Sequence, residues 1–179
     1  ENGITDIDWR IEFDHSVREY CVQYGETSLA FLKRIWAEEG IFYWFEHSES
    51  GHKMIISDAP LGMPVLKAAR VITYNNMPGG TGKGSWVSRF NQVERLRATN
   101  RVSRDYSFKR PAYHQEHSVG QYMPNGAKGK YELYHYPGRH KFPNAGQPFN
   151  DHALEAHRVE ATTADGETNN IQLSAGFIF

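Results

Sequence analysis

Nine histidines, a single cysteine and twenty-one carboxylates are the side chains of this 179-residue sequence best suited to chemistry. Their spacing decides whether they can act together. His114 and His117 stand three apart, and His152 and His157 five apart. A helical zinc site needs His-Glu-x-x-His, so that both rings share one face, and both pairs miss that separation. On a helix, five positions turn the second ring about 140° away from the first. The histidines therefore read as surface or packing residues and not as a ligand set. Glu38 and Glu39 are adjacent, so on a helix they point to different faces and make no acid–base pair; Glu155 and Glu160 are the other carboxylates expected near a helix. Cys21 lacks a His or Asn at partner spacing and lies in a strand-like run, which predicts a buried thiol and not a nucleophile. No Gly-x-Ser-x-Gly elbow is present. The run Gly79-Gly-Thr-Gly-Lys-Gly-Ser85 superficially resembles a phosphate loop, but Met77 falls where the first Gly should be and Gly84 where the hydroxyl should be. No helical pattern follows it, so there is no amide cradle for a phosphate. No catalytic, cofactor or metal set emerges, and the sequence is expected to be a non-enzyme without cofactors.

The elements that position these groups are clearest between Cys21 and Phe45. Thr27 suits an N-cap, because its hydroxyl can satisfy an orphan amide of the first turn. Leu29, Leu32, Ile35 and Trp36 recur at spacings of three and four and predict one apolar helical face. Lys33, Arg34, Glu38 and Glu39 fall largely elsewhere. Gly40 supplies a residue able to turn left-handed and stop the helix. Ile41 to Phe45 follows as an aromatic, β-branched strand. Phe42, Tyr43, Trp44 and Phe45 are consecutive, so two side chains point to each face and both faces need covering. A second layer within the chain would do this, or another subunit would; Tyr43 and Trp44 are the candidates for the outward, oligomer-facing role.

Ile4 to Asp14 alternates as a half-buried strand does. His47 to His52 reads as a turn, Lys53 to Ser57 as the returning hairpin strand, and Arg70 to Tyr74 as a short strand. Residues 75–85 hold five Gly or Pro and two Asn, the strongest break in the chain. This predicts a helix-plus-hairpin subdomain over 1–74, a Gly-rich loop over 75–85, and a second β-rich subdomain with one helix over 86–179. In the latter, strands are expected over Trp86–Thr99, Arg101–Lys109, Tyr131–Tyr136 and Ile171–Phe179. Asn150 or Asp151 would cap a helix from about His152 to Ala164. The fold class is α+β, mostly β, with two main helices.

The net charge of −1 lacks the basic excess that supplies most nucleic-acid affinity. One cysteine excludes an internal disulfide. No apolar run approaches the length of about 20 residues that spans a bilayer, and no basic-then-apolar export signal opens the chain. With Glu1 in place of an initiator Met, and a strand expected up to Phe179, a piece of something longer is expected.

Gln23-Tyr-x-Glu-Thr-x-Leu-Ala-Phe31, Arg34, Glu38-Glu-Gly-Ile41 and Tyr43-x-Phe45 closely resemble the segment typical of VgrG proteins, the tip proteins of bacterial type VI secretion systems. Ser88-Arg-Phe90, Arg104-Asp-Tyr-x-Phe-x-Arg-Pro111, Tyr134-x-Tyr-Pro-Gly138, Arg158-Val-Glu160 and Gly176-x-x-Phe179 follow in the expected order. Ser28, Trp36 and His140 stand where Asp, Leu and Tyr are more usual. The resemblance implies structural roles for Gln23, Tyr24, Glu26, Thr27, Leu29, Phe31, Leu32, Ile35, Gly40, Phe42, Phe45, Tyr136, Pro137 and Gly138. It implies a fold like the baseplate hub of contractile phage tails, with small β-barrel-like subdomains. It also implies a homotrimer that stacks on the hexameric Hcp tube and continues into an oligonucleotide-fold neck and a β-helical needle, with effector proteins as further partners. Synthesis in the cytoplasm and translocation by the apparatus to the extracellular space or a target cell come with it, without stable membrane insertion. A phage-tail hub is a close variant, and a metal-dependent lytic hydrolase is the alternative of another class.

Overall fold

The computed structural model describes residues 6–60, 63–66, 71–77, 84–120, 130–140 and 143–179. Three three-stranded sheets and two helices make up its regular structure. They fall into two compact units, each assembled from separated pieces of chain. The first comprises 1–13, 41–93 and 163–179; the second comprises 14–40 and 94–162. The units therefore do not run 1–74 and 86–179. The helix expected to share a subdomain with the hairpin belongs to the second unit, because Gly40 marks the point where the chain changes unit. Most of the Gly-rich stretch, residues 78–83, lies outside the described residues.

In the first unit, β2 (Phe42–Ser48) and β3 (Gly51–Ser57) form a hairpin in register from Phe42↔Ser57 to Ser48↔Gly51, longer than the expected turn over 47–52 allowed. β1 (Ile7–Arg10) adds in parallel, Ile7 opposite Met54. Alternation then sorts the aromatics. Phe42 and Trp44 stack at 5.9 Å between ring centres, and Tyr43 meets Phe45 edge-on at the same distance. Trp44 is only 4 % exposed and, with Ile55, belongs to the unit's core. Arg10 lies 5.7 Å over its ring. Gly176 (φ 84°) crosses the indole so closely that a Cβ there would sit 2.3 Å from it. Trp44 is thus not outward-facing with Tyr43, since neighbours on a strand point to opposite faces. β4 (Thr73–Tyr74), β5 (Trp86–Glu94) and β9 (Thr162–Thr168) form the second sheet, with β5 central. The expected closing strand Ile171–Phe179 is reduced to one bridge, Val65 to Ile178.

The second unit places β6 (Asn100–Asp105) between antiparallel β7 (Gln115–Gly120) and parallel β8 (Glu132–His135). α2 (Pro143–Arg158) lies on β7 and β6, and α1 (Ser28–Glu39) lies on α2. α2 starts well before the expected His152. Pro143, Gly146 and Pro148 disguise its first turns, because only Pro143, near the first turn, costs no helical bond. Asn150 is consequently inside the helix and not its cap. The three sheets are separate; no closed barrel forms among the described residues.

Candidate functional site

Thr27 caps α1 as expected, its hydroxyl accepting from the Ala30 amide at 3.2 Å. Gly40 ends it at φ 73°, donating its amide to the Trp36 carbonyl. A Cβ on Gly40 would lie 2.9 Å from the His152 ring of α2, so two independent constraints require glycine there. The expected apolar face is only partly covered: Phe31, Ile35 and Trp36 are half-buried, whereas Leu29 and Leu32 are exposed. Gln23 donates to the Glu26 carbonyl, and the Glu26 carboxylate takes a 2.7 Å bond from Arg34, which lowers the Glu26 pKa. Tyr24 is 90 % exposed, and Cys21 is exposed, not buried as expected. Their segment is instead held by charge. Arg18 reaches Glu38 at 2.6 Å and Glu39 at 2.5 Å, and lies 5.5 Å over Phe149 of α2. Burial pulls the Arg18 pKa down, but its hydrogen bonds to both glutamates and their negative charge outweigh this and raise it.

Tyr136-Pro137-Gly138 forms a turn with a cis Tyr136–Pro137 bond. Gly138 donates to the Arg104 carbonyl at 2.9 Å, and the turn feeds His140, which is buried. His140 meets His117 edge-on at 4.8 Å, with Gly146 of α2 against both rings. This pair, 23 positions apart, is invisible to short-range spacing. Burial first, and His140 second, lower the His117 pKa, against opposing pulls from Gln147 and Asp151. Beside them, buried Asn150 accepts from Arg101 Nε at 2.9 Å and donates to the carbonyls of Arg101 and His117. The interior of this unit is largely polar: Thr99, Ser103, Gln115, His140 and Asn150 are buried, with Leu154 the buried aliphatic side chain among the described residues.

Among the described residues, no three His, Cys, Asp or Glu side chains are grouped to hold a metal. His47 and His52 face each other across the hairpin, 6.2 Å apart, at the rim of an open depression of about 390 Å³ lined by polar residues including Asp6, Glu46 and Lys53. That lining lacks the apolar floor of a small-molecule site.

What the surface does offer is uncovered apolar side chains. Trp9, Phe13, Tyr24, Phe45, Phe108 and Ile171 are all exposed, Ile171 to 97 %, while few hydrophobic residues are buried. Within a single chain, many apolar side chains of this mostly-β, two-helix architecture are thus left uncovered. The chain belongs to the phage tail baseplate hub (GPD) family, whose profile matches residues 1–179. It is 34 % identical over 179 residues to the type VI secretion system spike protein VgrG2a of Pseudomonas aeruginosa, covering 100 % of the chain and 21 % of that protein. It is 34 % identical over 184 residues to spike protein VgrG3 of Vibrio cholerae, covering 100 % of the chain and 17 % of that protein. It is also 33 % identical over 179 residues to the actin cross-linking toxin VgrG1 of the same species, covering 100 % of the chain and 16 % of that protein. The chain spans about a fifth of the length of the curated relatives it matches.

Proposed function

We propose that this chain is the hub portion of a type VI secretion spike protein and that its role is structural, not enzymatic. The observation that carries the reading is a surface rich in uncovered aromatic and aliphatic side chains on a chain matched end to end by a baseplate-hub family. Three copies would cover those side chains in a homotrimer that seats on the Hcp hexamer, with the remainder of the longer protein forming the needle. Any effector activity would sit outside these residues. Translocation by the apparatus would carry the protein out of the cell. Light scattering on the full-length protein tests the assembly: a trimer at micromolar concentration is expected, and a strictly monomeric species sinks the proposal. Co-sedimentation with Hcp tubes tests the partner.

A phage-tail hub is the second reading, favoured by the family's own description as a phage tail baseplate hub. Genes for tube, sheath and effector proteins beside this one, without capsid genes, would decide for secretion.

A further inference from the structure

The loop from β6 to β7 gathers several cations without a carboxylate at hand. Elsewhere Arg10 has Asp8 and Glu46, Arg18 has Glu38 and Glu39, Arg34 has Glu26, Arg89 has Asp165 and Glu167, and Arg97 has Glu160, whereas Arg101 meets Asn150 and exposed Arg139 has no carboxylate within salt-bridge distance among the described residues. Arg104, Lys109 and Arg110 have none within salt-bridge distance among the described residues. Arg104 meets only the ring of His114, at 3.1 Å. Interleaved with these cations are Tyr106, Phe108 and Tyr113, all exposed, Phe108 to 79 %.

The loop's backbone is nonetheless fixed. Asp105 accepts from the Tyr106 amide at 2.7 Å with one carboxylate oxygen and from the His140 amide at 3.2 Å with the other. The Arg110 amide reaches Ser107 O and the Tyr113 amide reaches Arg110 O, each at 3.0 Å. The one acidic side chain inside the stretch is thereby held by the scaffold, and the nearest carboxylate in register is Glu116, opposite Arg104 on β7 but outside salt-bridge distance of it. Aromatic and arginine side chains on a preorganised backbone are the usual anchors of protein interfaces, and a guanidinium fork matches a carboxylate in shape as well as charge.

We propose that residues 104–114 form a docking surface for a carboxylate-rich segment of a partner protein. A membrane or nucleic acid fits less well, because the patch holds three cations on a chain of net charge −1 and so lacks the extended positive field those polyanions need.

The test uses the full-length protein and a fluorescein-labelled peptide of alternating glutamate and tyrosine, followed by anisotropy at 50 and 300 mM salt. Binding is expected at the lower salt, about tenfold weaker at the higher, because the contacts are exposed ion pairs. Lys109→Glu/Arg110→Glu should weaken it at least about tenfold, since two attractive contacts become repulsive. Phe108→Ala should weaken it severalfold, whereas Arg89→Glu, a charge reversal elsewhere on the surface, should leave it unchanged. Circular dichroism checks that each variant folds. The inference is overturned if a glutamine–tyrosine peptide binds as well as the acidic one, or if the double reversal leaves binding intact. It is equally overturned if phosphatidylglycerol vesicles or an oligonucleotide bind and the acidic peptide does not. A double reversal that alters only the oligomeric state would reassign the loop to contacts between copies of the chain and also overturn it.

Discussion

Replacing Gly40 by Ala probes the junction where α1 ends, and its cost can be worked from two separate terms. Backbone strain comes first: φ is 73°, and an L side chain held there costs about 1–2 kcal/mol. Ala also restricts the unfolded chain, which returns roughly 0.5 kcal/mol. The second term is steric. The new methyl would lie 2.9–3.0 Å from three atoms of the His152 ring, whose Nδ1 sits 3.4 Å from the Glu38 carbonyl. Pushing that ring aside is overpacking of about 1–2 kcal/mol. Gly40→Ala should therefore destabilise the second unit by about 2–3 kcal/mol. On a His152→Ala background the steric term vanishes and only about 1 kcal/mol should remain. Urea denaturation of the four proteins of this cycle, followed by tryptophan fluorescence, gives the coupling directly. A coupling below about 0.5 kcal/mol would refute the contact. A Gly40→Ala cost of the same size would refute the strain as well.

Acid should weaken the second unit through His117. Its folded pKa is depressed, by burial first and by His140 second, so the unfolded chain binds protons more readily. Stability is then fully present above the ordinary histidine value of about 6.5 and declines as pH falls towards the folded value, by at most about 1.4 kcal/mol per pH unit. Gln147 and Asp151 on α2 offset part of the shift, and the urea midpoint between pH 7.5 and 5.5 should drop less in His117→Gln than in the unaltered protein. Asn150→Leu strands Arg101 Nε and two carbonyls at once and should cost about 3 kcal/mol or more by the same denaturation assay. Trp44→Ala should cost about 3–5 kcal/mol of folding stability because the ring is core. Phe45→Ala, on the opposite face and exposed, should leave the midpoint within about 1 kcal/mol and show its effect in light scattering of the assembly.

Local signals in the sequence carried as far as local physics reaches. The Thr27 cap, the Gly40 stop and the aromatic strand after it depend on neighbouring residues, and each stands where spacing placed it. Trp44 was assigned to the wrong face because periodicity tells which side chains share a face but not which face the rest of the chain covers. The cover over Trp44 is Gly176, far off in sequence. The early start of α2 was hidden by Pro143, Gly146 and Pro148, whose usual meaning as breakers is overridden by packing: Gly146 leaves room for two imidazoles that any side chain would displace. The domain boundary failed for a similar reason. A Gly-rich stretch marks a break in local order and says nothing about which flanking segments later come together. Apolar runs such as Leu29 and Leu32 read as core by pattern, yet remain on the surface of a single chain.

The interleaving of the two units sets an order in time. The second unit has all its pieces once residue 162 has been synthesised, whereas the first still lacks 163–179. Trp44 must wait for Gly176, about 130 positions later, which at typical rates of synthesis is on the order of ten seconds. Throughout that interval β2 and β3 can pair, but one face of their hairpin lacks the crossing that seals it. Residues 163–179 are thus the last pieces of either unit to emerge and complete the part of the fold that began with β1, so a nascent chain short of them would hold a finished second unit and an open, aromatic first one.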